Sequence, residues 1–257
     1  MYIAVLLSLM VASAVAQQPD AGTIIQRSVT ANDADWKANP KYDWTERDLQ
    51  PGGGTKTFQE FMIFGSPYAR VVAVNGKPVP ASKRAEEQQE LDAEISKRRA
   101  ETAEQRQKRI AEFDKERSRE HAMMEQLTQA FNFKLLGEQR LASHQVYVLK
   151  AAPKPGYQPP NMQCEALKGM QGKLWIDKTT FQWLRVEAEV VHPVTIEGFL
   201  ARVEPGTRFE LEKTPVDGGI WLPKHYSMRS KAKVLFLLSH RGRDDESYWA
   251  YHKSKDY

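Results

Sequence analysis

The chain has 257 residues, 41% hydrophobic and 27% charged, which excludes a membrane bundle and a fully disordered chain. Fifteen Gly and fourteen Pro follow no repeat, which excludes collagen. A single cysteine, Cys164, excludes an internal disulfide framework and a four-cysteine zinc site. The net charge is +4, and residues 221–257 hold eight Lys/Arg against four Asp/Glu, so the excess lies at the C-terminal end. That is a mild bias toward anionic partners, well short of a nucleic-acid footprint.

Residues 1–16 read as a secretory signal peptide. An apolar run from Ile3 to Ala12 precedes Ala14-Val15-Ala16, a small-x-small cleavage site. The run is shorter than the roughly 20 apolar residues that span a bilayer. No Lys or Arg precedes it, which departs from the usual signal pattern. The expected mature chain starts near Gln17 and is exported, soluble and without a transmembrane segment.

Ile24, Ile25 and Val29 then fall at helical spacing and predict a short amphipathic helix, ended at Asn39-Pro40. Residues 42–79 read as strands, punctuated by Pro51-Gly52-Gly53-Gly54 and Asn75-Gly76. From 81 to about 131 there is no Gly or Pro, and residues 83–120 hold eleven Lys/Arg and eleven Asp/Glu. This predicts a charged helical insertion with Ser82 as candidate N-cap. As one helix it would be roughly 70 Å long and project into solvent. Two readings stay open for it: a solvated, salt-bridged helix, or a docking arm for a protein partner.

Residues 132–257 are rich in strand signals. A hairpin is expected around Ala142-Ser143-His144. Further strands are expected over 181–191, 194–203, 207–213, 220–229, 231–239 and 247–253, with turn signals at Pro205-Gly206, Asp217-Gly218-Gly219 and Arg241-Gly242. In one of them Leu184, Val186, Ala188 and Val190 alternate with Arg185, Glu187 and Glu189, the pattern of a sheet with one dry face. Tight turns and missing helical crossovers imply an antiparallel meander.

No dinucleotide, P-loop, zinc-protease, nucleophile-elbow or C-x-x-C motif occurs. The six histidines are not spaced for a metal. Asp244-Asp245-Glu246 reads as a hairpin tip rather than an acid–base pair, and Cys164 has no sequence partner. The expectation is a non-enzyme with no catalytic residues, no metal and no cofactor. What remains is surplus apolar surface on strands such as 58–64 and 234–238. It suits either a packed core or a cavity for an acyl chain.

One hairpin stands out: Gly172-Lys173-Leu174-Trp175-Ile176-Asp177-Lys178-Thr179-Thr180, leading into Leu184-Arg185-Val186-Glu187. With the signal peptide, the first helix and the early strands, it resembles the periplasmic outer-membrane lipoprotein carrier superfamily (LolA-like). That superfamily includes the N-terminal domain of an RseB-like sigma-factor regulator. The resemblance implies an α+β fold: an unclosed antiparallel β-barrel, a curved meander sheet with helices over its concave face, holding acyl chains in the periplasm. Residues 17–257 would be one such domain, interrupted by the charged insertion. The expected function is carrying or sensing a lipid or lipoprotein acyl chain. The alternative is an envelope-stress or protein-interaction module that docks through the charged helix. The expected partner is a lipid or acylated protein, with no nucleic acid. The expected lining is Leu184, Val186, Val190, Ile196, Phe209, Leu211, Val234 and Phe236.

Overall fold

A computed structural model describes residues 18–196, 201–234 and 238–255. The expected signal peptide and Phe236 lie outside the described residues. The elements are α1 (Ala21–Ala38), β1 (Tyr42–Leu49), β2 (Thr55–Ile63), β3 (Ser66–Val74), β4 (Lys77–Pro78), α2 (Ala81–Arg99), α3 (Ala103–Glu125) and α4 (Leu127–Ala130). There follow β5 (Phe131–Leu141), β6 (His144–Pro153), β7 (Met170–Asp177), β8 (Trp183–Val190), β9 (Val194–Ile196), β10 (Ala201–Val203), β11 (Arg208–Pro215), β12 (Trp221–Val234) and β13 (Leu238–Lys253).

The thirteen strands among the described residues form one antiparallel sheet, in the order β4-β3-β2-β1-β13-β12-β11-β8-β7-β6-β5, with β10 and β9 branching from β12. The terminal strands β4 and β5 do not pair, so the sheet is an unclosed half-barrel; the turns predict its antiparallel meander, and the resemblance implies its open form. Both ends are guarded against further pairing. At one end α2 lies along β3, where the Glu87 carboxylate accepts the Val71 backbone N–H at 3.2 Å. At the other, β5 is bulged between Leu135 and Gly137 and carries Lys134, Glu138 and Arg140.

We call inner the face on which α1 packs. Its core joins Ile24 and Ile25 of α1 to Phe131, Tyr147, Leu149, Leu174, Ile176, Trp183, Val186 and Val190 of β5–β8. Met123, Met124 and Leu127 close it from α3 and α4, and Cys164 and Leu167 from the helical turn Met162–Gly169. Each fully buried isoleucine contributes about 1.5–3 kcal/mol. A smaller cluster of Val146, Val148, Leu184 and Trp221 sits on the outer face.

The charged insertion is not one rod. It breaks at Ala100, and Thr102 starts α3 with a capping box to Gln105. The break has a physical anchor. Arg98 donates to the backbone oxygens of Ile63 (2.9 Å), Ser66 (2.8 Å) and Pro67 (3.1 Å), and Arg109 donates to Ser66 Oγ at 2.6 Å. Two guanidinium groups thus clamp the β2–β3 turn, where Phe64 and Gly65 both have positive φ. Farther along, α3 returns to the body. His121 and Arg117 stack on Trp36 of α1, with ring contacts at 4.2 and 4.5 Å. Ser82 is not the cap, because α2 begins at Ala81 behind Pro80.

The C-terminal strands also differ from expectation. Residues 220–229 and 231–239 are not two strands: β12 runs unbroken to Val234. Val234 pairs with Leu238, so the apolar run 234–238 straddles the junction of β12 and β13. The expected turn at Arg241-Gly242 lies inside β13, with Gly242 opposite Ser230, because the reversal happens before it. Asp244-Asp245-Glu246 is therefore mid-strand rather than a hairpin tip. Residues 194–203 form the β9–β10 pair instead of one strand.

Candidate functional site

The register identifies the inner face strand by strand. Val186 opposes Leu211, Leu211 opposes Tyr226, and Tyr226 opposes Glu246. Two residues along β13, Tyr248 opposes Glu46, which opposes Phe58. One continuous surface therefore passes from the filled core to a second half built on β12, β13, β1 and β2. The helices are distributed unevenly over it. α1 packs on β5 and the start of β12, while α2 and α3 reach β3 at the far edge, and none packs broadly on β1, β2 or β13.

That second half presents half-buried Trp44, Glu46, Phe58, Glu60, Tyr226, Met228 and Tyr248. A bulge at Ala250, whose φ is 56°, brings Tyr251 round to join them, with its ring 6.4 Å from that of Trp44. Trp44 Nε1 donates to Glu46 Oε2 at 2.9 Å, Tyr251 donates to the Pro223 carbonyl at 2.7 Å, and Tyr248 donates to Glu246. Neither Glu46 nor Glu60 has a Lys or Arg partner among the described residues. Burial lifts the Glu60 carboxyl to about 7, with Asp48 adding to it. Burial likewise lifts Glu46 to about 8, against the Trp44 hydrogen bond and with the help of Asp48. Burial also holds the Tyr248 and Tyr251 hydroxyls far above the usual phenol range. Below neutral pH this surface is uncharged at both glutamates. It then offers aromatic rings, a thioether and hydrogen-bonding groups, with the carboxyl groups of Asp48 and Glu246 on the same face.

The filled half is locked by a polar network under α1. The buried stripe of α1 continues from Ile24 and Ile25 into Ser28, Asn32 and Asp35. Asp35 accepts Lys213 Nζ at 2.5 Å, the Trp221 backbone N–H at 2.9 Å and Gln182 Nε2 at 3.1 Å. Burial raises the Asp35 carboxyl and lowers the Lys213 ammonium, while each partner opposes the other's shift. Trp183 Nε1 donates to Ser28 Oγ.

The expected lining residues are split. Val186 and Val190 are buried in the filled half beneath α1, and Phe209 and Leu211 pack at its border, half-buried. Leu184 faces the other way, because β8 carries an extra residue there: Ile176 pairs with Trp183 while Trp175 pairs with Arg185. Ile196 ends β9 and Val234 ends β12. Trp44, Phe58, Tyr226, Met228 and Tyr248 were missed, and so were Glu46 and Glu60. The signal available was Trp44, Glu46 and Asp48 alternating on one strand, which reads equally well as a wet face.

On the outer face, a groove of about 1030 Å³ is lined by His225, Ser247, Trp249 and His252. His225 Nε2 lies 3.3 Å from Asp245, but Ser247 Oγ accepts from Arg47 instead, and no serine–histidine hydrogen bond forms there among the described residues. Cys164 is fully buried, its thiol pushed up by burial. No cluster of metal-ligating side chains occurs, and no helix is long and apolar enough to cross a membrane, among the described residues.

No family model and no curated protein matches the chain. Solved structures do. One, a LolA superfamily protein from Nitrosomonas europaea, is 10% identical over 93% of this chain and 96% of its own, with a TM-score of 0.33. A DUF1329 family protein from Desulfovibrio piger is 13% identical over 92% and 94%, with a TM-score of 0.35. A putative outer membrane lipoprotein-sorting protein domain from Vibrio parahaemolyticus is 11% identical over 89% and 93%, with a TM-score of 0.33. At such identity and TM-scores, the LolA-like resemblance assigns no residue of this chain a role.

Proposed function

We propose that the chain is an exported, periplasmic, non-enzymatic binding protein that carries or senses a lipid or a lipoprotein acyl chain. The observation that carries this reading is the uneven cover of the inner face. Helices fill β5–β8, whereas β12, β13, β1 and β2 present aromatic and thioether groups around the half-buried carboxyls of Glu46 and Glu60, which burial raises. An acyl chain would lie from Phe209 and Leu211 across Met228, Tyr226 and Tyr248 to Phe58, with Val186 and Val190 one layer deeper. Each methylene taken from water would contribute about 0.8 kcal/mol.

The test is delipidated protein titrated with a fluorescent fatty acid. Saturable binding is expected, abolished by Phe58→Arg and unchanged by Trp249→Ala on the outer face. Absence of saturable binding rejects the reading. Docking of a protein partner on the charged helices is the alternative. Arg98 and Arg109 hold the fold, so it is tested at exposed residues. Alanines at Lys108, Glu112, Lys115 and Glu116 would then remove partner capture and leave fatty-acid binding intact.

A further inference from the structure

The groove on the outer face of β11–β13 has a chemistry unlike that of the inner face. It holds Trp249, which is 43% exposed and is the only exposed aromatic side chain among the described residues. No described residue stacks on this ring or accepts its Nε1 hydrogen. An indole combines a broad apolar face with one polar N–H, and here both are unused. The ring is also held in place, because Trp249 pairs with Thr45 on β1 inside the sheet instead of riding on a loop. The charges around it cancel. Lys224 lies 3.5 Å from Glu212, and Lys253 lies 3.6 Å from Asp217. These four are the only Lys, Arg, Asp and Glu side chains that line the groove among the described residues. Both lysines are exposed, and pairs so open to water are held weakly, so their donors and acceptors are available to a ligand.

We infer that this groove binds a neutral oligosaccharide, with Trp249 as the platform for a sugar ring. A pyranose has an apolar C–H face to lay on the indole and a rim of hydroxyls that both donate and accept. The groove answers that rim with two ammonium groups, two carboxylates and the imidazole of His225. A polyanion or a polycation would find half of those charges against it. A hydrocarbon would cover the ring but strip water from the ion pairs around it. A peptide main chain would need a free strand edge, and β11, β12, β13 and β1 are all interior strands. The volume of about 1030 Å³ stands at the top of the range of about 300–1,000 Å³ that holds a drug-sized ligand, which suits several linked sugars better than one. The groove is on the opposite face from the proposed lipid surface, so its occupancy does not depend on what the inner face binds.

The test is isothermal titration of the full chain with chitotetraose, cellotetraose and maltotetraose. Saturable binding of at least one is expected, equal at low and high salt because the ligand carries no charge. Trp249→Ala should weaken it at least about 10-fold, the loss typical of a central tryptophan. Trp249→Phe keeps a smaller ring and should weaken it less than alanine does. Leu136→Ala removes a side chain of similar exposure from β5 and should bind as the parent does. Circular dichroism checks that each variant folds, and the phenylalanine variant carries the comparison should the alanine variant unfold. The proposal is overturned if none of the three sugars binds, if heparin or a proline-rich peptide binds in their place, if Trp249→Ala and Trp249→Phe bind as the parent does, or if Leu136→Ala weakens binding as much as they do.

Discussion

The two halves of the inner face are one sheet with the same alternation, yet they are built differently. Over β5–β8, Ile24 and Ile25 press α1 onto Leu149, Ile176 and Val190, and the buried Asp35–Lys213 pair fixes the helix. Over β12, β13, β1 and β2, no helix packs broadly, and two glutamates stand half-buried without a cation. A folding protein gains nothing from placing unpaired carboxyls in a half-dry site. The first half is packed as a core, and the second leaves aromatic and carboxyl groups half-buried.

Substitutions in each half test this contrast. The largest effect is expected at Asp35→Ala, which leaves Lys213 charged and almost wholly buried, at a cost of about 3–5 kcal/mol in urea unfolding. Adding Lys213→Met should restore part of it, and a double variant no better than the single would show that the pair is not the lock. Next is Ile25→Ala in the filled half, expected to cost about 2–5 kcal/mol. Met228→Ala in the other half should cost less than about 1 kcal/mol while weakening fatty-acid binding. Equal costs for these two variants would mean that both halves are packed core, and the contrast would fail.

The smallest effect is one of pH. Glu46 and Glu60 have folded-state values of about 8 and about 7, above the ordinary 4.5. The folded chain therefore binds more protons than the unfolded chain between these limits. Their contribution to stability is full below about pH 4.5 and is lost as pH rises through 7 to 8. Glu46→Gln/Glu60→Gln should flatten the decline in melting temperature over that window. An unchanged slope would place both carboxyls in water.

Much of the architecture is legible in the residues, because it rests on local chemistry. Ile24, Ile25 and Val29 announce α1, and the alternation from Val186 to Val190 announces a strand with one dry face. Asn75-Gly76 and Ala142-Ser143 mark real turns. What stayed hidden depends on distance along the chain. Nothing near Asp35 foretells Lys213, which lies 178 residues away. Arg98 and Arg109 look like two more solvated charges until the β2–β3 turn comes to meet them. Glu46 and Glu60 look wet because strand alternation cannot distinguish a solvent face from a half-buried one. Arg241-Gly242 misleads for the opposite reason: a glycine signals a turn locally, but pairing with Ser230 keeps β13 straight through it.

The central claim is that the second half of the inner face, and not the filled half, receives an apolar chain. A diazirine-bearing fatty acid, photolysed on the delipidated protein and mapped by peptide mass, tests it directly. Label is predicted on the peptides carrying Trp44, Phe58, Met228 and Tyr248. Label confined to α1 and β6–β8, or spread evenly over the surface, would contradict it.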